Sequence, residues 1–101
     1  MMLKHIVMMR FKSTELHTKQ EQMNKLKQML EDLSQTIEVV DFLEVGFNLS
    51  NRPTAFDLIL QTHFKSEKEL DLYRVHPEHL KVLDYIREVI SETAVVDYQI
   101  V

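Results

Sequence analysis

The segment YRVHPEH, residues 73–79, places a tyrosine and two histidines within seven positions and sets a proline between the histidines. A neutral imidazole can take a proton from a carbon beside a carbonyl, and a phenol hydroxyl can hold such a base or the oxyanion that develops. A further histidine, His5, lies near the other end of the chain in KHIVMMRFK. Strand alternation puts His5 on the same side as Leu3, Val7 and Met9. Helical spacing puts His79, four before Leu83 and seven before Ile86, on a core-facing stripe. His5 and His79 are thus expected to point into one space between a sheet and its helices, with Tyr73 in reach. Each also has a plainer account, as a core histidine bonded to backbone or a packing tyrosine with a satisfied hydroxyl.

These groups need elements to hold them. Residues 3–11 alternate as a half-buried strand. Thr18 and Glu21 have the spacing of a capping box, and Met23, Leu26, Leu30, Leu33 and Ile37 follow at helical steps. Strands are expected at 39–47 and 55–64, separated by the turn-rich NLSNRPT. A second capping box, Ser66 with Glu69, opens a helix through Leu70 and Tyr73. It must stop at His76, because a residue before proline is pushed out of the helical region and proline lacks the N–H a helix needs. Pro77 is suited to start a new helix, expected to run through Leu80, Leu83, Ile86 and Ile90. Ala94, Val96, Tyr98 and Ile100 alternate as a last strand. The order is β-α-β-β-α-β with the second helix split, a ferredoxin-like α+β arrangement in one domain over residues 1–101.

At 101 residues, 45% apolar and 28% charged, the chain has the make-up of a folded domain. A net charge of −4 with scattered Lys and Arg argues against binding that neutralises phosphates, so nucleic acid is not an expected partner. The absence of cysteine removes thiolate chemistry and fits a reducing compartment. No apolar run is long enough to span a membrane, and a cytoplasmic location is expected.

The second faces of the strands are mixed rather than polar: Ile6 and Met8, Val40 with Phe42 or Ile59, and Val95 with Val101. Helices on only one side of the sheet would leave these groups wet, and a contiguous apolar patch usually marks an interface. A second copy related by a two-fold axis is the economical cover.

KHIVMMRFK, LEVGFNLS, YRVHPEH and VVDYQI together resemble the stress-responsive A/B barrel, or Dabb, family of dimeric α+β barrel proteins, over essentially the whole chain. The HPxH element with the N-terminal histidine is the most specific part of the likeness. The resemblance implies a homodimer whose two sheets face each other, and no single reaction. A similar protein type, the plant polyketide cyclase that closes olivetolic acid, implies a general base at His79, a cavity tyrosine at Tyr73 and a supporting histidine at His5. No cofactor is implied.

Other histidine readings are weaker. His76 and His79, three apart, could bring two imidazoles to a metal, but no third ligand is evident and no metal site is expected. His63 shares a strand face with Asp57 and Gln61, and His17 precedes a helix cap; both read as solvated or interface residues. The chain has no Trp, which sets aside the related cofactor-free monooxygenases that rely on one. Three functions remain: binding of a small, partly apolar molecule; a cofactor-independent cyclase, lyase or isomerase using His79; and a structural stress protein that acts through its dimer.

Overall fold

The computed structural model describes residues 2–100. Its elements run β1 (Met2–Phe11), α1 (Leu16–Thr36), β2 (Phe42–Phe47), β3 (Leu58–Phe64), α2 (Glu67–Val75), α3 (Pro77–Val89) and β4 (Ile90–Ile100). The four strands form one antiparallel sheet in the order β2-β3-β1-β4. The fold is ferredoxin-like α+β, with the helices packed over one face. Among the described residues no helix is long and apolar enough to cross a membrane.

The core fills the space between that face and the helices. Leu26 and Leu30 of α1, Leu58 and Phe64 of β3, and Leu70 and Tyr73 of α2 are buried in it. Each fully buried Leu or Phe contributes about 1.5–3 kcal/mol, so the apolar stripe of α1 is a principal tie between helix and sheet. Two polar residues, His5 and Thr62, are buried with the core, and the Thr62 hydroxyl is satisfied because it donates to the His5 carbonyl at 3.3 Å.

Helix α1 starts two residues before Thr18. Its N-cap is Glu15, whose carboxylate accepts the Thr18 N–H at 2.9 Å, so Thr18 is a donor inside the first turn rather than the cap. Ser66 does cap α2, but its hydroxyl donates to the Glu69 carboxylate and its side chain accepts no backbone amide of the first turn. Strands β2 and β3 are shorter than the apolar runs that suggested them, beginning at Phe42 and Leu58. Helix α3 ends at Val89, and Ile90 already belongs to β4. Its buried residues are Val82 and Val89; His79, Leu83 and Ile86, expected on the core-facing stripe, are partly buried, and Leu80 is about half exposed at 48%.

The far face of the sheet differs from expectation in its members. The pairing register groups Ile6 with Gln61 and Val96, Met8 with Ile59 and Ala94, and Lys4 with His63 and Tyr98. Val95 pairs with Val7 and so lies on the helix side. Val40 precedes β2 and packs against the core; Val101 lies outside the described residues. The far face therefore carries Met8, Phe42, Val96, Tyr98 and Ile100, all exposed large apolar groups.

Candidate functional site

His5, on the helix side of β1, sits in register with Thr62 of β3 and Asp97 of β4. Tyr73 comes from the last turn of α2, and His79 from the first turn of α3. The three rings converge. Tyr73 lies 4.4 Å from His79 and 6.4 Å from His5, centroid to centroid, and packs on Phe64 at 5.1 Å. All three line one cavity of about 230 Å³, whose walls are otherwise mostly apolar side chains such as Val7, Leu60, Leu83 and Ile86, with Arg74 and Thr93 as the other polar members.

The break between α2 and α3 shapes the site. His76 is extended, at φ −63° and ψ 135°, as a residue before proline must be. Its ring Nδ1 accepts the Glu78 N–H at 3.1 Å, so it caps α3 in place of the usual Ser or Asp. The His76 side chain is thus committed to the backbone, away from the paired metal ligation its spacing raised. Among the described residues no group of three or more His, Asp or Glu side chains is placed to hold a metal ion.

His79 Nδ1 lies 3.0 Å from the Arg74 carbonyl oxygen. A carbonyl only accepts, so Nδ1 carries the proton and a neutral ring keeps its lone pair on Nε2. Burial holds the His79 pKa below the ordinary 6.5, opposed by the Arg74 carbonyl and aided by the nearby positive charges. Burial likewise pushes the Tyr73 phenol up, and its hydroxyl has no hydrogen-bond partner among the described residues. The cavity therefore holds a neutral base and an unengaged hydroxyl donor against an apolar wall.

His5 is held differently. Its Nδ1 meets Asp97 Oδ1 at 2.5 Å, and Asp97 Oδ2 accepts from Arg74 Nη2 at 3.0 Å. With a guanidinium on its other oxygen Asp97 is a carboxylate, so His5 Nδ1 is the donor. Asp97 and Arg74 were missed in the sequence because charged residues on an edge strand and a helix end ordinarily face water. Alternation did not place Asp97 either: it shares a face with Val95, which the sequence put on the far side of the sheet and the pairing with β1 puts on the helix side. Of the other histidines, His63 stacks on Phe42 at 4.5 Å on the far face, and His17 pairs with Glu21 at 2.8 Å on the surface of α1. Asp57 is drawn off the His63 face to accept the Phe11 N–H at 2.8 Å.

Among solved structures, a dimeric protein of unknown function and ferredoxin-like fold from Bacteroides fragilis is 29% identical, with a TM-score of 0.89 over 98% of this chain and 96% of that one. A hydroxynitrile lyase from Passiflora edulis superposes with a TM-score of 0.82 at 19% identity, over 96% of this chain and 91% of the other. A Dabb family protein from Mesorhizobium loti, also 19% identical, has a TM-score of 0.76 over 99% and 97%. No curated protein matches in sequence. The family model of the Stress responsive A/B Barrel Domain matches residues 3–100, and with that match the chain belongs to the stress responsive A/B barrel, or Dabb, family.

Proposed function

We propose that this domain binds a small, largely apolar molecule bearing one carbonyl or hydroxyl group in the cavity between sheet and helices. The observation that carries the reading is the buried Tyr73 hydroxyl without a partner in a cavity whose walls are mostly apolar. A buried donor left unmatched costs about 1–3 kcal/mol, and an acceptor on a ligand recovers that cost. The volume sets the size. A dry apolar cavity of about 150 Å³ is enough for benzene, so about 230 Å³ fits a substituted benzene or a short branched chain rather than a drug-sized ligand.

A second reading is favoured by His79, whose anchored Nδ1 leaves Nε2 as the basic nitrogen. In it the domain is a cofactor-independent, cyclase-like lyase or isomerase, with His79 as general base, Tyr73 steadying the oxyanion and His5 in support. The name of the Passiflora edulis protein, a hydroxynitrile lyase, supports this only as a demonstration that the fold hosts a lyase.

The domain works as a homodimer in either reading, its apolar far face covered by a second copy; the dimeric Bacteroides fragilis protein supports this. Acetophenone tests both readings. Calorimetric binding that Tyr73→Phe weakens supports the first, and deuterium uptake into its methyl group that His79→Ala abolishes supports the second. Failure of acetophenone and of a panel of similarly sized ketones and alcohols to bind would leave the dimer itself as the function.

A further inference from the structure

We infer that Arg74 is a positioning residue that anchors both cavity histidines at once, by its backbone to His79 and by its side chain to His5. The functional meaning rests on the cavity reading above; the geometry does not. One branch is the 3.0 Å contact from the Arg74 carbonyl to His79 Nδ1. The other runs from the guanidinium to Asp97 Oδ2 at 3.0 Å and from Asp97 Oδ1 to His5 Nδ1 at 2.5 Å.

Nothing else described shares this double role. Asp97 stands on β4, an edge strand, so no neighbouring strand on its outer side restrains its carboxylate. The guanidinium fixes it, with Asp71 Oδ1 at 3.5 Å as a looser second partner on Arg74. A charge-assisted pair of hydrogen bonds sharing one carboxylate is geometrically selective: each partner occupies one oxygen, and the carboxylate cannot rotate without losing both. Both rings are then anchored at Nδ1, each of them near Tyr73. Because both anchors pass through one residue at the end of α2, movement of that turn shifts the two imidazoles together.

The test needs no ligand, so it stands or falls apart from the proposed binding. Solvent exchange of the two Nδ1 protons is measured by NMR in the whole chain and in Arg74→Met, which keeps the carbonyl and most of the stem but loses the charge. His5 Nδ1–H exchange is expected to rise about tenfold, the scale of one lost charge-assisted bond. His79 Nδ1–H exchange stays within about twofold, because its acceptor is backbone. Arg74→Lys, which restores the charge without the planar fork, falls between for His5. Unchanged exchange at His5 overturns the coupling. Equal acceleration at both rings also overturns it, since general loosening of α2 then accounts for the effect. Arg74 is half exposed, so folding is not at risk from its removal; were Arg74→Met nonetheless unfolded, the Lys variant decides by the same two rates.

Discussion

The Arg74 carbonyl is available to His79 Nδ1, at 3.0 Å, because the helix is broken between them. In an unbroken helix that oxygen would accept the N–H of residue 78. Here the Glu78 N–H goes to His76 Nδ1 at 3.1 Å, and Pro77 has no N–H to offer. The proline between two histidines thus has a chemical consequence: one imidazole caps the new helix, which frees a carbonyl to orient the other.

Tyr73→Phe is expected to leave stability unchanged or to raise it by up to about 1 kcal/mol, because it removes a buried hydroxyl that has no partner. The same change should weaken binding of a carbonyl ligand about tenfold, the worth of one hydrogen bond in a dry site. Urea denaturation with and without acetophenone reads both effects. A loss of more than 1 kcal/mol in the free protein shows the hydroxyl to be satisfied in solution and removes the main support for the binding reading.

His79 should make the fold acid-sensitive. Its folded pKa is held below 6.5 by burial, so between that value and 6.5 the unfolded chain carries the extra proton. Stability from this residue is present above pH 6.5 and is lost as pH falls through the window beneath it. His63, also lowered by burial and by Lys4, adds a slope of the same sign, so the comparison must be with His79→Gln. Denaturation curves at a series of pH values from 7 down to 5 should be flatter for the variant. Identical slopes would show that His79 titrates normally. If the site turns over a substrate, its rate should hold at pH values where an ordinary histidine would already be protonated.

Element order was legible because each segment repeats its apolar residues at a single period: Leu3, His5, Val7 and Met9 by twos, Leu26, Leu30 and Leu33 by threes and fours. The placement of His5, Tyr73 and His79 followed from the same rule. Strand β4 defeated it, because Val95 and Val96 are both apolar and alternation alone cannot say which faces the helices. Pairing with β1 decides that, through a register that shifts at Arg10 and Phe11. The Arg74 to Asp97 link spans 23 positions and joins elements that only the fold brings together, so no local pattern announces it.

Met8→Asp tests the far face. Met8 is 36% exposed in the single chain, beside Ile59 and Ala94, so the aspartate can be solvated there and the monomer should fold. Buried between two sheets, the same unpaired charge costs roughly 3–5 kcal/mol. Dimer affinity should then fall by at least about a hundredfold. Light scattering at micromolar concentration should show a dimer for the native chain and a monomer for the variant. A native monomer, or a variant that dimerises equally well, would exclude pairing through this face.

Pro77→Ala separates the structural role of the break from its chemical one. Pro77 is the first residue of α3, where an N–H has no helical partner, and its ring restricts His76 to the extended conformation found. Alanine fits the same backbone, so the direct cost should be only about 1 kcal/mol, felt mainly through the freer unfolded chain. The site should change more than the stability does. Once His76 can turn helical, α2 and α3 can run on, the Glu78 N–H can return to the Arg74 carbonyl, and His79 Nδ1 loses its fixed acceptor. The expected signature is an imidazole at His79 that exchanges between its two neutral tautomers, seen by nitrogen NMR above pH 7, in a protein whose melting temperature has dropped by a few degrees. His5, anchored through Asp97, should keep its Nδ1 proton. If His79 keeps a single tautomer and its 4.4 Å stacking on Tyr73 in a structure of the variant, the bend is not what positions the base.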